Sequence, residues 1–317
     1  MSKKEKLVCI VGPTATGKTR LSIDLAKKLN GEIISGDSMQ VYRGMDIGTA
    51  KVTKEEMSGI PHHLINIKDP EESFSVFEFQ QLVRGKISEI TNRNRLPMIV
   101  GGTGLYIQAV IYDYRFSHEA RSEHIRRKIE QRLLQEGGDT LYNELKEIDP
   151  ETAGKIHPNN ERRIIRALEV YYTTGKTMTE IRRQQENKLL YDAVLIGLTM
   201  ERQKLYERID QRVDQMMEKG LLQEAKMLYE QGLRNHTSTQ AIGYKELFDY
   251  FDGKISLDEA VGQIKRNTRR FAKRQLTWFR NKMDVTWFDM TDPLVYRENL
   301  RKISEYVAGK LNLKSNT

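Results

Sequence analysis

Apolar residues change texture several times along the chain. Lys6 to Val11 (KLVCIV) is a continuous, partly β-branched run ending at a glycine, the pattern of a buried strand. After a glycine-rich turn, apolar positions take helical spacing from Lys18 to Leu29, and Gly31 to Ser35 reads as a second strand. Ser75 and Glu78 form a capping-box signature for a helix running to about Asn94. Leu96 to Val100 is another apolar strand, closed by Gly101-Gly102-Thr103-Gly104. This strand–turn–helix alternation predicts a parallel sheet with crossover helices.

The pattern shifts after Tyr114. From about Arg115 to Leu190 the periodicity is helical, with one helix over about Arg121 to Glu136 and another over Asn160 to Thr174, stopped by Gly175. Thr177 and Glu180 start a third. Ala193 to Leu198 then resumes the sheet. Helices follow over about Glu201 to Lys219 and Leu221 to Gln231, and a long one starts at the Ser256–Glu259 capping box. Asp284 to Phe288 reads as an edge strand, and the tail from Pro293 as a helix that frays. The expected organisation is an α/β core, residues 1–114 and 191–317, interrupted by an all-helical insertion, residues 115–190.

A chain of 317 residues with 38% hydrophobic and 30% charged residues can build packed cores, which excludes wholesale disorder. No apolar run approaches the roughly 20 residues that span a bilayer. Leu7 to Val11 is too short for a signal peptide. The one cysteine, Cys9, excludes an internal disulfide framework and a Cys-based zinc site, and a reducing cytoplasm is the expected compartment. The formal charge is +8. The segment Gly262 to Lys282 carries eight basic residues (Lys265, Arg266, Arg269, Arg270, Lys273, Arg274, Arg280, Lys282) and no Asp or Glu. A solvated helix face is the plain reading; a contact surface for a phosphate backbone is the functional one.

Gly12-Pro13-Thr14-Ala15-Thr16-Gly17-Lys18-Thr19 matches the phosphate-loop pattern G-x-x-x-x-G-K-[ST] between a strand and a helix. Glycines let backbone N–H groups curl around phosphate oxygens, and the helix N-terminus adds positive potential. Lys18 would reach terminal phosphates, and the Thr19 hydroxyl can ligate Mg²⁺. The expected core is therefore a P-loop NTPase-like parallel sheet. The loop alone does not name the ligand or the bond that breaks. Asp37 follows the second strand, where strand C-termini line one crevice. It is a candidate general base, with turn capping or Mg²⁺ binding as the alternatives. No Asp closes Leu96 to Val100, where an ordinary NTPase would often keep its metal-binding carboxylate. Gly101 to Gly104 with Thr103 suits either an anion contact or a plain turn. His62 and His63 lack partners at metal spacing. Trp278 and Trp287 read as core residues.

Several blocks then occur in order: GPTATGKT at Gly12–Thr19, DSMQVYRGMDIGTAK at Asp37–Lys51, PHHLI at Pro61–Ile65 and GGTGLYI at Gly101–Ile107. HPNNERRIIRALEVYYTTGK at His157–Lys176, QAIGYKE at Gln240–Glu246 and RRFAKRQLTWFR at Arg269–Arg280 follow. From about Leu7 to Phe288 the chain closely resembles the bacterial tRNA dimethylallyltransferases, also called tRNA isopentenyltransferases. The resemblance implies transfer of a dimethylallyl group from dimethylallyl diphosphate to N6 of the adenosine 3′ to the anticodon, with Mg²⁺ at Thr19 and Asp37 as general base. It implies that Gly12 to Thr19 hold the diphosphate, with Arg208 and Arg212 as further candidates. It implies that the tRNA anticodon stem-loop meets Asp37, Ser38, Met39, Gln40, Thr103, Arg126, Glu161, Arg162, Arg163, Ile164 and Ile165. Arg269, Arg270, Lys273 and Arg274 join them as expected backbone contacts. A monomer is expected. Asn66 stands where the family often has Asp, so no acid role is assigned there. Without a Cys/His zinc finger, the chain is expected to be the compact bacterial form.

Three other readings share parts of this pattern. A P-loop kinase would use the same loop and an acceptor-activating Asp. A nucleotide-switched RNA-binding protein would use the loop and the basic segment. A prenyltransferase acting on free adenine nucleotides would not need the Arg-rich segments.

Overall fold

The computed structural model describes residues 4–114, 122–184 and 188–313. Six strands form one sheet: β1 (Lys6–Val11), β2 (Gly31–Ser35), β3 (His62–His63), β4 (Leu96–Gly101), β5 (Asp192–Thr199) and β6 (Thr286–Asp289). Their order is β3-β2-β4-β1-β5-β6, and every pairing is parallel. β1 is central, with Cys9 opposite Ile99 on one side and Leu195 on the other. Leu7 to Val11 are completely buried, as a strand covered on both faces requires.

The connection leaving β1 runs past β4 to β2, whereas the one leaving β4 runs past β1 to β5. These opposite departures open a crevice outside the carboxyl ends of β1 and β4, the usual ligand position in such sheets. The loop from β1 and the glycine turn from β4 both fall there.

The chain divides into two compact units, Met1–Ile111 with Leu189–Thr317, and Tyr112–Lys188. The first is built on the sheet, its core including Val8, Ile10, Leu21, Leu25, Ile196, Leu198 and Ile209. The second is helical: Glu123–Glu136, Gly138–Ile148, Pro150–Ala153, Glu161–Thr174 and Met178–Arg183. It has a separate core of Ile129, Leu141, Leu145, Ala153, Ile164, Ile165, Ala167 and Leu168. Burying each of its Leu and Ile side chains contributes about 1.5–3 kcal/mol, enough to give this unit a core of its own.

Local signals explain the helix ends. Gly175 adopts φ 68 at the C-terminus of Glu161–Thr174. Thr177 with Glu180, and Ser256 with Glu259, form complete capping boxes. Ser75 completes only half of one. Its hydroxyl accepts from the Glu78 N–H at 3.1 Å, but the Glu78 carboxylate pairs with Lys68 at 2.8 Å instead. That helix is Val76–Asn92. The helix expected from about Arg121 starts at Glu123 behind a Ser122 cap, and Arg121 lies outside the described residues. The tail opens with a 3₁₀ turn, Pro293–Val295, before the helix Tyr296–Lys310. His62 and His63 occupy the edge strand. His63 Nε2 lies 2.7 Å from the Glu32 carboxylate, and His62 Nδ1 lies 2.8 Å from the Ile60 carbonyl.

Candidate phosphate cleft

The loop between β1 and the helix Lys18–Leu29 passes close to β5. Gly12 leaves β1 at φ 138, and a Cβ there would lie 2.5 Å from the Leu198 carbonyl oxygen. The chain then curls, with Ala15 at φ 66 and Gly17 at φ 89. Left-handed residues of this kind are what anion-binding backbone nests are built from. No side chain caps the helix Lys18–Leu29, so its first amides stay available to a ligand. Thr16 pins the loop by donating to the Pro13 carbonyl at 2.9 Å. The Lys18 ammonium rests on the carbonyls of Gly12 and Pro13 at 3.0 and 2.7 Å.

A cleft of about 1200 Å³ opens over this loop. Lys18, Thr19, Asp37, Ser38, Met39, Gln40, Thr103, Arg208, Arg212 and Arg274 all line it. Residues from five separate stretches of sequence thus share one concavity. Asp37 Oδ1 accepts from the Met39 N–H at 2.8 Å, and the Ser38 N–H donates to Thr103 Oγ1 at 3.2 Å. Gly101 lets the ends of β2 and β4 touch, since a Cβ there would lie 2.2 Å from the Gly36 carbonyl oxygen.

Burial sets the protonation of this cluster. The Lys18 pKa falls to about 7 because the ammonium is desolvated and faces Arg212; the nearby Asp37 carboxylate partly offsets this. Desolvation raises the Asp37 carboxyl above its ordinary value, against the opposing pull of the Met39 N–H, Lys18 and Arg212. Burial also lowers Arg212 from its ordinary value, though a guanidinium stays charged in proteins. Two cations and a carboxyl with displaced pKa values in one cleft mark a functional site.

The helix Arg202–Glu218 brings Arg208 and Arg212 to the cleft. The long basic helix, Leu257–Lys282, lines it with Ile264, Thr268, Phe271, Arg274 and Gln275. The other expected RNA contacts on this helix separate by face. Arg269 Nη1 lies 2.6 Å from both carboxylate oxygens of Asp210, and Lys265 lies 2.6 Å from Asp214. Arg269 is therefore already paired within the fold. Arg270 and Lys273 are exposed and have no ion pair among the described residues.

In the helical unit Arg126 bonds Glu130 at 2.9 Å and lies 3.8 Å from the buried Glu169. Glu161, Arg162 and Arg163 are exposed in the first turn of their helix. Ile164 and Ile165 are only 1% and 4% exposed and belong to that unit's core. Of the expected five-residue contact segment, the first three side chains reach solvent and the two isoleucines do not.

Two residues near the cleft escaped the sequence reading. Gln275 is 6% exposed; its Oε1 accepts from the Thr14 N–H at 3.0 Å and its Nε2 donates to the Gly102 carbonyl at 3.1 Å. Glu224, also buried, accepts from the N–H groups of Asp46, Ile47 and Gly48 at 2.8, 2.8 and 3.0 Å, and from the Tyr244 hydroxyl at 2.7 Å. It fixes the turn that lines the cleft from Asp46 to Thr53. Each is a polar residue at a core position of an amphipathic helix. Glu224 sits with Leu221, Ala225 and Leu228, and Gln275 with Ala260, Ile264, Ala272 and Phe279.

The sequence profile of the family described as IPP transferase matches residues 40–282. The chain belongs to that family. A tRNA dimethylallyltransferase of Geobacillus thermodenitrificans (strain NG80-2) is 61% identical over 312 residues, covering 98% of this chain and 99% of the relative. One from Bacillus cytotoxicus is 62% identical over 314 residues, covering 99% and 98%. Among solved structures, the full-length tRNA isopentenylpyrophosphate transferase of Bacillus halodurans matches with TM-score 0.74 and 56% identity, covering 98% of this chain and 97% of that one. A eukaryotic dimethylallyltransferase acting on tRNA matches with TM-score 0.85 and 34% identity, covering 100% and 81%. These solved relatives share the fold over nearly the whole of this chain. No described helix is long and apolar enough to cross a membrane.

Proposed function

We propose that this IPP transferase family member moves a dimethylallyl group from dimethylallyl diphosphate to N6 of the adenosine 3′ to the anticodon in a tRNA stem-loop, releasing diphosphate. One observation carries the reading: a phosphate loop opening into a helix with no side-chain cap, and a half-buried carboxyl of raised pKa, share one cleft. The first suits the leaving group and the second suits the nucleophile.

In the reaction the allylic C–O bond breaks and an N6–C bond forms. Negative charge grows on the diphosphate, where the loop amides, Lys18 and Arg212 stabilise it. Diphosphate raises the pKa of Lys18 again, so binding returns that side chain to its charged form. An exocyclic amine is a weak nucleophile, and alignment of the two reactants supplies much of the rate. Asp37 takes the N6 proton; its raised pKa makes it a stronger base than an ordinary carboxylate. The target base leaves its stack to enter the cleft, at a cost of a few kcal/mol that phosphate contacts outside the cleft offset.

The residues also fit Mg²⁺. No group of three His, Cys, Asp or Glu that could hold a metal occurs among the described residues, and Mg²⁺ at a phosphate site needs few protein ligands. Thr19 lines the cleft at the start of the phosphate-loop helix, and its hydroxyl would hold the ion. The ion would supply charge neutralisation on the leaving group.

The test uses a synthetic anticodon stem-loop RNA, dimethylallyl diphosphate and single-turnover conditions. The reading expects one dimethylallyl group per RNA, on the adenosine 3′ to the anticodon, and none when guanosine replaces that adenosine. Equal labelling of both RNAs would overturn the assigned acceptor.

A further inference from the structure

The long basic helix presents three faces with different partners. Ile264, Thr268, Phe271 and Gln275 recur at helical spacing and line the cleft. Lys265 and Arg269, one turn apart, pair with Asp214 and Asp210 on the helix that carries Arg212. Arg266, Arg270, Lys273 and Arg280 share a third, exposed face roughly opposite Gln275. A strand of RNA phosphates lying along that third face would hold a rigid element whose far side grips the phosphate loop.

Gln275 makes that grip. It joins the Thr14 N–H in the loop after β1 to the Gly102 carbonyl in the turn after β4. These are the two strands whose ends open the crevice. The fit is close: a Cβ at Gly102 would lie 2.0 Å from Gln275 Nε2. A glutamine suits this place, because one amide group supplies both the acceptor for Thr14 and the donor for Gly102. Replacing it would remove the partner of the half-buried Thr14 N–H and of the buried Gly102 carbonyl.

We propose that Gln275 is a positioning residue that couples RNA bound on the basic helix to diphosphate bound in the phosphate loop. The inference rests on the reading of the substrate as RNA. Gln275 need not touch either reacting atom. It sets the shape of the loop, and RNA that holds the helix holds that shape. Each ligand then favours the other, by the same factor in both directions.

The experiment measures inorganic pyrophosphate binding to the full chain by calorimetry, with and without saturating anticodon stem-loop RNA. In the wild type, RNA should tighten pyrophosphate binding about fivefold or more, the lower range of typical couplings. In Gln275→Met, which keeps the shape without the hydrogen bonds, the RNA effect should shrink to less than about twofold, while RNA affinity stays within about twofold of wild type. Gln275→Ala repeats the test should the Met side chain disturb the loop, and a thermal melt qualifies each variant as folded. Glu305→Ala, on the exposed side of the C-terminal helix Tyr296–Lys310, should keep the wild-type coupling. Wild-type coupling in a folded Gln275 variant overturns the inference, as does a wild type that binds RNA and pyrophosphate independently. A wild type that binds no RNA overturns instead the reading beneath it, and the inference with it.

Discussion

Asp37 and Lys18, brought from the ends of β2 and β1 into one cleft, act on each other's protonation. The carboxylate supports the charge on Lys18, and the ammonium opposes the rise in Asp37. Burial nevertheless dominates both, lowering the lysine to about 7 and raising the acid.

Diphosphate binding should therefore take up protons. Below pH 7 Lys18 is charged in the free protein, and above it the amine is increasingly neutral. An arriving diphosphate restores the charge, so between about pH 7 and 10 binding gains a proton and affinity falls as pH rises. Calorimetry in buffers of different ionisation enthalpy reads the uptake directly. An uptake of zero at pH 8 would contradict the lowered lysine.

Lys18→Ala should weaken diphosphate binding and nearly abolish turnover while the protein stays folded. The side chain projects into the cleft, so little packing is lost. Pyrophosphate calorimetry and a thermal melt check both halves.

Asp37→Asn keeps the shape but cannot accept a proton. It should lose roughly 10²–10⁴ in rate, the usual size of general-base catalysis, with both substrate affinities within about tenfold of wild type. A carboxyl whose pKa is raised on folding favours its protonated form, so its stabilising contribution is lost as pH rises through the folded value. At neutral pH the Asn variant should thus melt no lower than wild type. Loss of pyrophosphate and Mg²⁺ binding in this variant would make Asp37 a metal ligand instead.

The faces of the basic helix separate structural charges from RNA contacts. Arg270→Ala combined with Lys273→Ala should flatten the plot of log RNA affinity against log salt by about 1.4, from about 0.7 per phosphate contact for single strands. Arg269→Ala removes the partner of Asp210 and should instead lower thermal stability. An unchanged slope in the folded double variant would move the RNA surface to the exposed first turn at Glu161, Arg162 and Arg163.

Glu224→Ala strands three backbone donors and the Tyr244 hydroxyl, at about 1–3 kcal/mol for each group left dry. A loss of at least ~2 kcal/mol in denaturant unfolding is expected, against about 1 kcal/mol for Tyr244→Phe.

Much of this architecture was legible in the sequence because its signals are local. The β-branched run at Leu7–Val11, the phosphate loop and the Thr177 and Ser256 capping boxes each depend on neighbouring residues only. Elements lacking such signals were missed. Gly104–Ile111 follows a glycine turn and is apolar throughout, so no periodicity marks it as a helix. Gly138–Ile148 and Tyr244–Phe251 start behind glycines, which have no side chain to mark the N-cap in the sequence. In the site, Lys18, Thr19 and Asp37 were readable from loop pattern and strand order. The pairing of Arg269 with Asp210, the withdrawal of Ile164 and Ile165 into a core, and the grips made by Gln275 and Glu224 were not. Each depends on tertiary packing, and the Arg269, Gln275 and Glu224 contacts span 59 to 261 positions of sequence. The two grips left one trace, a polar residue on an otherwise apolar helix face.

The most direct test of the central claim is incubation of the protein with labelled dimethylallyl diphosphate, Mg²⁺ and unmodified total tRNA, followed by digestion and nucleoside analysis. The account predicts label in N6-(dimethylallyl)adenosine, dependent on Lys18 and Asp37, with diphosphate released in equal amount. ATP hydrolysis without RNA and no label in any nucleoside would contradict it.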